Sequence, residues 1–315
     1  MRVIVIGAGV IGLSCAVRLA EHGHDVAVLA RDLPPETTSA VAAALWYPYR
    51  ALPRDAVTRW SATTYSELSR LAGEEAGCGV SVRWGTELFH GPATTPWWRE
   101  AVPRLDPLTT VPDGWDGGWR LPVPVADMSV YLPWLAARLA ALRVTITRSW
   151  LATLPRPSAQ VTVVNCSGLA ARALVGDDSV TPVRGQVVFL EQVGLEEWTL
   201  ASKNESELTY VVPREKVVVV GGTAQEGAYE PRPDPAVAQQ ILARARAVVP
   251  ELARATVVGH RVGLRPARPT VRLEAEQVDD GTVVHCYGHG GAGVTLSWGC
   301  ADDVAALVDA VPAGT

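Results

Sequence analysis

The chain has 315 residues, of which 48% are hydrophobic and 19% charged, and its formal net charge is −5. This length allows a sizeable core, and mild acidity without a basic cluster argues against nucleic acid or an anionic membrane as a partner. We expect a cytoplasmic protein without signal peptide, membrane span or metal site, because no apolar run is long enough and the five cysteines are scattered without a C-x-x-C pair.

A glycine fingerprint follows the first predicted strand. The β-branched run Val3–Ile6 leads into Gly7, Gly9 and Gly12 at the G-x-G-x-x-G spacing. Gly7 permits a tight turn, Gly9 lets the backbone approach a pyrophosphate, and Gly12 lets the next helix pack close to the strand. A helical spacing and a second strand at residues 25–30 follow. This order predicts a site for the ADP part of a dinucleotide, with its phosphates at the helix N-terminus.

The identity of the dinucleotide depends on the end of the second strand. An acidic residue about 20 positions after the glycines suits NAD, and an arginine suits NADP. In that window the chain has Ala30, Arg31 and Asp32. Arg31 suits a 2′-phosphate, whereas Asp32 suits a ribose hydroxyl. The residues alone therefore leave FAD, NAD and NADP open.

The rest of the pattern predicts an α/β chain in which strands and helices of the nucleotide-binding type return twice more. The predicted elements are a small-residue loop at 37–45, a helix at about 56–71, edge strands and loops at 84–124, a helix from 129, buried strands at 144–147 and 161–165, antiparallel strands at 184–190, 208–212 and 217–221, a helix at 235–248, a strand at 283–287 and a closing helix to about 310.

This order predicts a discontinuous Rossmann-like domain that carries an inserted substrate domain of the α+β class with an antiparallel sheet. The predicted nucleotide-binding domain comprises residues 1–45, 129–181 and 262–315. The predicted substrate domain comprises residues 46–128 and 182–261.

Two segments near the C-terminus carry longer motifs. VGLRPARP at Val262–Pro269 and VVHCYGHGGAGVTLSWGCA at Val283–Ala301 resemble the signature region of the D-amino acid oxidase family, which includes D-aspartate oxidase. The resemblance extends to GAGVIGLS, LARDLP, LWYPY and RGQ, at residues 7–14, 29–34, 45–49 and 184–186. It implies non-covalent FAD, with oxygen as the acceptor. It also implies oxidation of a D-amino acid to an imino acid, which water hydrolyses to an oxo acid and ammonia, together with hydrogen peroxide.

The resemblance also implies roles for single residues. Arg265 matches the arginine that pairs with the substrate carboxylate, a task for which a planar guanidinium is suited. Tyr210 matches the tyrosine whose hydroxyl touches the same carboxylate. These two are the predicted catalytic residues. Tyr47 and Gly291 are further predicted substrate contacts, and Trp46 either borders the substrate or packs in the core.

The predicted FAD contacts lie in segments rich in small residues. The last of them opens a helix whose N-terminus would stabilise negative charge on reduced flavin. The predicted contacts are Gly7, Ala8, Gly9, Val10, Ile11, Gly12, Ala30, Arg31, Asp32, Thr37, Thr38, Ser39, Ala43, Ala44, Leu45, Ser167, Arg265, Gly290, Gly291, Ala292, Gly293, Val294 and Thr295.

The choice of substrate depends on a second cation, which an acidic side chain requires. Ala224 stands where we expect an arginine in the D-aspartate oxidase branch, so neutral D-amino acids are the predicted substrates. D-aspartate oxidase is the alternative, with Lys203 as the cation. Many relatives carry a tyrosine where this chain has Ser206, which predicts a more open pocket. Two other classes stay open: an NADP-dependent reductase that uses Arg31, and a flavin-binding protein without turnover. A homodimer is compatible with the resemblance.

Overall fold

The computed structural model describes residues 1–202 and 208–312. It begins with the predicted β-α-β unit: β1 (Arg2–Ile6), α1 (Val10–Glu21) and β2 (Asp25–Ala30). The turn after β1 requires glycine, because Gly7 has a φ of +112° and a β-carbon there would lie 2.4 Å from the carbonyl oxygen of Cys166.

The later elements follow the predicted order with several additions. The first half of the chain contains α2 (Arg54–Glu74), β3 (Val80–Phe89), β4 (Asp106–Pro107), β5 (Gly117–Ala126), α3 (Met128–Ala141), β6 (Thr145–Arg148) and β7 (Val161–Asn165). The second half contains α4 (Ala171–Leu174), β8 (Thr181–Glu191), β9 (Trp198–Ser202), β10 (Leu208–Pro213), β11 (Val217–Gly221), β12 (Gln225–Glu226), α5 (Pro235–Val248), β13 (Val257–Val278), β14 (Gly281–His289) and α6 (Gly293–Asp309).

In the described part of the chain, the strands form one mixed sheet of 14 strands, in the order β4-β5-β3-β9-β10-β11-β8-β13-β14-β7-β1-β2-β6, with β12 paired to β8. The strands β14, β7, β1, β2 and β6 are parallel to one another. Strands β10, β11, β8 and β13 lie side by side in this order, and each is antiparallel to its neighbour. The predicted α/β class is therefore confirmed, with a parallel half typical of nucleotide-binding folds.

Strand β13 joins the two halves of the sheet. Its first part pairs with β8 and its last part with β14, and the register shifts between Ala267 and Arg272. The predicted domain boundary at 262 lies inside this strand, so the division into two domains stays a prediction. The sequence did not predict β13, because Pro266, Pro269 and its many charges are unusual in a strand. The bulge accommodates Pro269, since the ladder is interrupted there.

Helices cover the parallel half. Helix α6 packs against α1 and lies so close to α2 that a β-carbon on Gly299 would be 2.3 Å from the Trp60 Cα. The indole of Trp298 donates a hydrogen bond of 2.8 Å to the Tyr131 hydroxyl of α3. These buried contacts fix α6 against α2 and α3. Within the described ranges, no helix is both long and apolar enough to cross a bilayer.

One further prediction about an element was wrong. The strand predicted as buried at 144–147 is β6, whose residues are mostly exposed because it forms the edge of the sheet. In the region predicted to hold edge strands and loops, the two-residue strand β4 forms the edge of the sheet, and the ten-residue strands β3 and β5 pair along their whole length. Their prolines and glycines obscured the alternation, although Pro122 and Pro124 both lie within the ladder.

Candidate active site

A cavity of about 620 Å³ opens at the carboxyl ends of β1, β2 and β7. It extends to β10, to the segment that follows β11, and to the start of α6. In a sheet with a parallel half, this edge is where ligands are expected. The cavity therefore joins the predicted nucleotide-binding elements to the predicted substrate-binding ones.

The nucleotide end of the cavity fits a pyrophosphate. Gly7 and Gly9 line it, and the backbone N–H of Val10 donates to the Ser39 hydroxyl at 3.0 Å. The Thr37 hydroxyl also faces this end, is buried, and has no hydrogen-bond partner among the described residues. An unpaired buried hydroxyl beside a helix N-terminus suits a phosphate oxygen. Gly12 lies outside the lining, where a β-carbon would be 1.9 Å from the Gly7 carbonyl oxygen, in keeping with its predicted packing role.

The unpaired hydroxyl gives a direct test of cofactor binding. We expect Thr37→Val to weaken FAD binding about 2- to 10-fold, because one hydrogen bond contributes about 0.5–1.5 kcal/mol. The apoprotein should lose no stability, since the hydroxyl has no partner there. Flavin fluorescence titration measures the affinity and thermal unfolding measures the stability. Unchanged affinity would remove Thr37 from the cofactor site.

The charges at the end of β2 neutralise each other. Arg31 donates to both carboxylate oxygens of Asp32, at 3.0 and 2.6 Å, and both side chains are exposed. Hydrogen bonding to Asp32 raises the pKa of Arg31. A guanidinium already paired in this way is poorly placed to receive a 2′-phosphate, so this feature favours FAD over NADP.

The start of α6 forms another part of the cavity wall. Gly290, Gly291, Gly293 and Thr295 line the cavity, whereas Ala292 is buried behind the lining. The Thr295 hydroxyl accepts a hydrogen bond from the Tyr47 N–H and donates one to the Tyr47 carbonyl, both 3.0 Å. The helix N-terminus and the LWYPY segment are thereby held together. Of the other predicted cofactor contacts, Ala8, Val10, Ile11, Ala30, Thr38, Ala43, Ala44, Leu45, Ser167 and Val294 also line the cavity.

A buried arginine that the sequence did not indicate holds the small-residue loop. Arg214 is 4% exposed and donates to the carbonyls of Ala42 at 2.6 Å and Ala43 at 3.2 Å. It also forms an ion pair of 3.4 Å with Asp127, the residue before α3. The loop that lines the cavity is therefore tied to the antiparallel half. An arginine directly after a strand has no distinctive spacing, so sequence reasoning had no signal for it.

Arg265 and Tyr210 meet at the antiparallel end of the cavity. Arg265 donates to the Thr223 carbonyl at 2.8 Å, and its guanidinium lies over Gly185, where a β-carbon would be 2.3 Å from it. The Tyr210 hydroxyl lies over Gly221 in the same way and contacts Arg265. Burial raises the pKa of Tyr210, so its neutral hydroxyl remains a donor. A planar cation beside a hydroxyl donor is suited to binding a carboxylate.

Tyr49 is a lining residue that we did not predict. A β-carbon on Gly291 would lie 3.0 Å from Tyr49 Cδ1 and 3.4 Å from Arg265 Cδ. Gly291 thus allows the tyrosine ring and the arginine stem to approach the start of α6. Sequence reasoning could have found Tyr49 from its position as the second tyrosine of the LWYPY motif.

The orientation of Tyr47 is fixed by a hydrogen bond to the buried carboxyl group of Glu87. Its hydroxyl donates to Glu87 Oε1 at 2.5 Å, whereas the other oxygen of Glu87 is buried without a partner in the described structure. Burial raises the pKa of both Glu87 and Tyr47. Tyr47 lines the cavity, and its contact with the substrate stays a prediction, whereas Trp46 does not line the cavity. It is fully buried, and its indole donates to the Ser61 carbonyl. Of the two interpretations left open for Trp46, the structure favours core packing, because the indole contacts the rings of Tyr65 and Trp98.

Cations are scarce around the cavity. In residues 1–202 and 208–312, Arg31 and Arg265 are the only lysine or arginine side chains that line it. Ala224 lines it too. Lys203 and Ser206 lie outside the described residues, so their predicted roles stay predictions. The described wall therefore offers one cationic side chain to a bound carboxylate at the antiparallel end.

Comparison with known proteins agrees with this geometry. The profile of the family described as FAD dependent oxidoreductase matches residues 2–307. A D-amino-acid oxidase of Rubrobacter xylanophilus is 48% identical over 98% of this chain and 96% of its own length. A D-amino-acid oxidase of Streptomyces coelicolor is 43% identical over 97% of this chain and 96% of its own.

The fold also agrees with a solved structure. The glycine oxidase of Geobacillus kaustophilus superposes with a TM-score of 0.82, over 98% of this chain and 95% of its own, at 21% identity. Because the family profile and the full-length relatives agree, this chain belongs to the FAD dependent oxidoreductase family.

Proposed function

We propose that this protein is a FAD-dependent oxidase of neutral D-amino acids. The observation that carries the proposal is the pairing of Arg265 with Tyr210 beside the glycine-rich start of α6. Relatives that are 48% and 43% identical over nearly the full length are D-amino-acid oxidases, which supports the same reaction here.

Binding begins with the substrate carboxylate. The Arg265 fork receives its two oxygens, and the neutral Tyr210 hydroxyl donates a further hydrogen bond. The bond from Arg265 to the Thr223 carbonyl and the close contact with Gly185 fix the direction of the guanidinium. Because the carboxylate is fixed, the Cα–H of one enantiomer is held toward the start of α6. The residues that line the cavity would hold FAD, which would supply the oxidising chemistry there, with oxygen as the final acceptor and hydrogen peroxide as a product.

The chain does not need a protein base if the substrate amine enters neutral. Of the described residues that line the cavity, only Asp32 and His289 carry a group that is commonly a base. Asp32 is paired with Arg31 at the nucleotide end, and His289 is buried against Cys286. Neither side chain has a hydrogen bond to Arg265 among the described residues. The residues around the carboxylate therefore contribute orientation and charge rather than proton abstraction.

Apolar side chains form the rest of this end of the cavity, and they suit a neutral substrate side chain. Leu200 and Tyr210 are register partners in β9 and β10, so their side chains share one face of the sheet. Further lining residues of this kind are Leu45, Tyr47, Leu208 and Val212. Such a wall excludes water from the site and stabilises an aliphatic side chain by burial.

We expect D-valine to exceed D-aspartate at least 10- to 100-fold in kcat/KM, and L-valine to give no turnover. A second carboxylate would lose its hydration without a cationic partner, at a cost of about 1–3 kcal/mol. Ala224→Arg should raise the ratio of D-aspartate to D-valine efficiency, because it adds the missing cation. Peroxide detection under matched conditions measures all three substrates. If the unmodified protein prefers D-aspartate, Lys203 or another cation reaches the pocket and D-aspartate oxidase replaces this proposal.

The two alternative classes of protein, a reductase and a flavin-binding protein without turnover, predict different results. An NADP-dependent reductase would oxidise NADPH, which the Arg31–Asp32 pair disfavours. A flavin-binding protein without turnover would release no peroxide with any D-amino acid.

The five cysteines are all free and buried, in keeping with the proposed reducing cytoplasm. The homodimer stays a prediction, which sedimentation velocity tests.

A further inference from the structure

Four cysteines that are far apart in sequence meet beneath the cavity. Cys15 lies in α1, Cys166 follows β7, Cys286 lies in β14 and Cys300 lies in α6, while His289 ends β14. The ligand atoms of Cys15, Cys166 and Cys286 are within 4.8 Å of one another, and so are those of Cys286, His289 and Cys300. All five side chains are buried. The sequence predicted no metal site because the spacing of these residues shows no pattern, whereas the fold gathers them.

The donor atoms of the second group lie slightly farther apart than those around a tetrahedral ion. With bonds of about 2.3 Å to sulfur and 2.0–2.1 Å to imidazole, the donors around zinc lie about 3.5–3.8 Å apart. Here Cys286 Sγ and His289 Nε2 are 3.9 Å apart. Closing the group around an ion therefore requires movements of about 1 Å or less.

Charge favours the same group. Thiolates of Cys286 and Cys300 with a neutral His289 imidazole exactly balance a divalent cation, so the loaded site is neutral in an apolar environment. Three thiolates from Cys15, Cys166 and Cys286 would leave a net negative charge. Cys15 or Cys166, which lie beside Cys286, instead offers a sulfur atom as the fourth ligand. The Cys286 and Cys300 thiols lose their protons to solvent when the ion binds, so that the charges balance.

The group lies at the wall of the cavity, so an ion reaches it from the cavity before FAD is bound. Cys286 and His289 line the cavity together with Cys166, whereas Cys300 lies deeper. We propose that Cys286, His289 and Cys300 form a binding site for a thiophilic divalent cation such as Zn²⁺ or Cd²⁺. The bound ion lies against the wall of the cofactor cavity, and it takes no part in the substrate contacts of Arg265.

Cadmium binding tests this site when the chelator-treated protein is incubated with Cd²⁺ first and then reconstituted with FAD to the holoenzyme. We expect about one Cd²⁺ per chain after equilibrium dialysis, with a new ultraviolet thiolate-to-metal absorption band. Cys286→Ser and Cys300→Ser should each weaken binding at least tenfold. Cys78→Ser is the matched control, because Cys78 is also buried but bonds to the Leu71 carbonyl away from the group. These readouts do not depend on oxidase activity, so failure of the metal site and failure of the proposed function can be distinguished.

Two outcomes would overturn the site. One is a holoenzyme, reconstituted in the presence of roughly 100 μM Cd²⁺, that retains no cadmium, although structural thiolate sites bind Zn²⁺ with about 10–16 kcal/mol. The other is cadmium uptake that the Cys286 and Cys300 variants leave unchanged. If those variants fail to fold, anomalous scattering decides, from crystals of the unmodified holoenzyme that was reconstituted with FAD after incubation with Cd²⁺. The ion must lie between Cys286, His289 and Cys300, and an ion elsewhere or none at all refutes the proposal.

Discussion

Arg265→Ala is expected to lower kcat/KM for D-valine at least 10- to 100-fold. The charge-assisted pair with the substrate carboxylate contributes about 1.5–3 kcal/mol, and loss of orientation adds to this. Arg265→Lys should also lose most activity, because an ammonium keeps the charge but cannot form the bidentate fork. The guanidinium additionally bonds to the Thr223 carbonyl, so lysine would be held less firmly. Steady-state kinetics with peroxide detection measures both variants.

The matched control for this prediction is Arg261→Ala. Arg261 lies in the same strand, four residues before Arg265, but is exposed and does not line the cavity. It should retain the kinetics of the unmodified protein. FAD content and thermal unfolding confirm that each variant is folded and loaded. Wild-type kinetics in Arg265→Ala would exclude this residue from substrate binding.

Gly9→Leu is expected to weaken FAD binding at least about tenfold, which corresponds to about 1.4 kcal/mol. Gly9 lines the cavity at the start of α1 in an extended conformation, with φ of −75° and ψ of 176°. A larger residue therefore adopts this backbone without strain, and its side chain occupies the space of the pyrophosphate. The nearest atom to a β-carbon at this position is Ser39 Oγ, at 3.2 Å. The effect should appear in cofactor affinity more than in folding of the apoprotein.

Gly73→Ala provides the comparison for Gly9→Leu. Gly73 lies in α2, with open space around a β-carbon, so alanine should leave FAD affinity unchanged and stabilise the helix by up to about 1 kcal/mol. Flavin fluorescence titration and thermal unfolding of both variants separate the two effects. Equal FAD affinity in Gly9→Leu and the unmodified protein would contradict the predicted pyrophosphate position.

The nucleotide-binding end was predictable because its signals are local. The spacing of Gly7, Gly9 and Gly12 directly follows a strand and precedes a helix, and the structure places these elements as expected. The helix at 235–248 was also predicted correctly, since Asp234 caps it and its apolar spacing is regular. Patterns that depend only on neighbouring residues can be recognised without knowing the fold.

The features that sequence reasoning missed depend on distant parts of the chain. Strand β13 is defined by pairing with both β8 and β14, not by its own composition. Arg214 contacts a loop 171 residues away, and Tyr49 reaches the site because α6 starts at Gly293 beside it. Trp46 packs in the core although its neighbour Tyr47 lines the cavity, because successive side chains of an extended segment point in opposite directions. Such placements follow from tertiary packing.

Anaerobic mixing of the purified protein with D-valine tests the central claim most directly. We predict that the protein carries FAD, which acid precipitation releases into the supernatant because it is not covalently bound. D-valine should bleach the visible flavin absorbance and L-valine should not. Subsequent admission of air should restore the absorbance and yield hydrogen peroxide in proportion to the substrate oxidised. Flavin that D-valine and other neutral D-amino acids leave oxidised, or a protein that binds no flavin, would contradict the account.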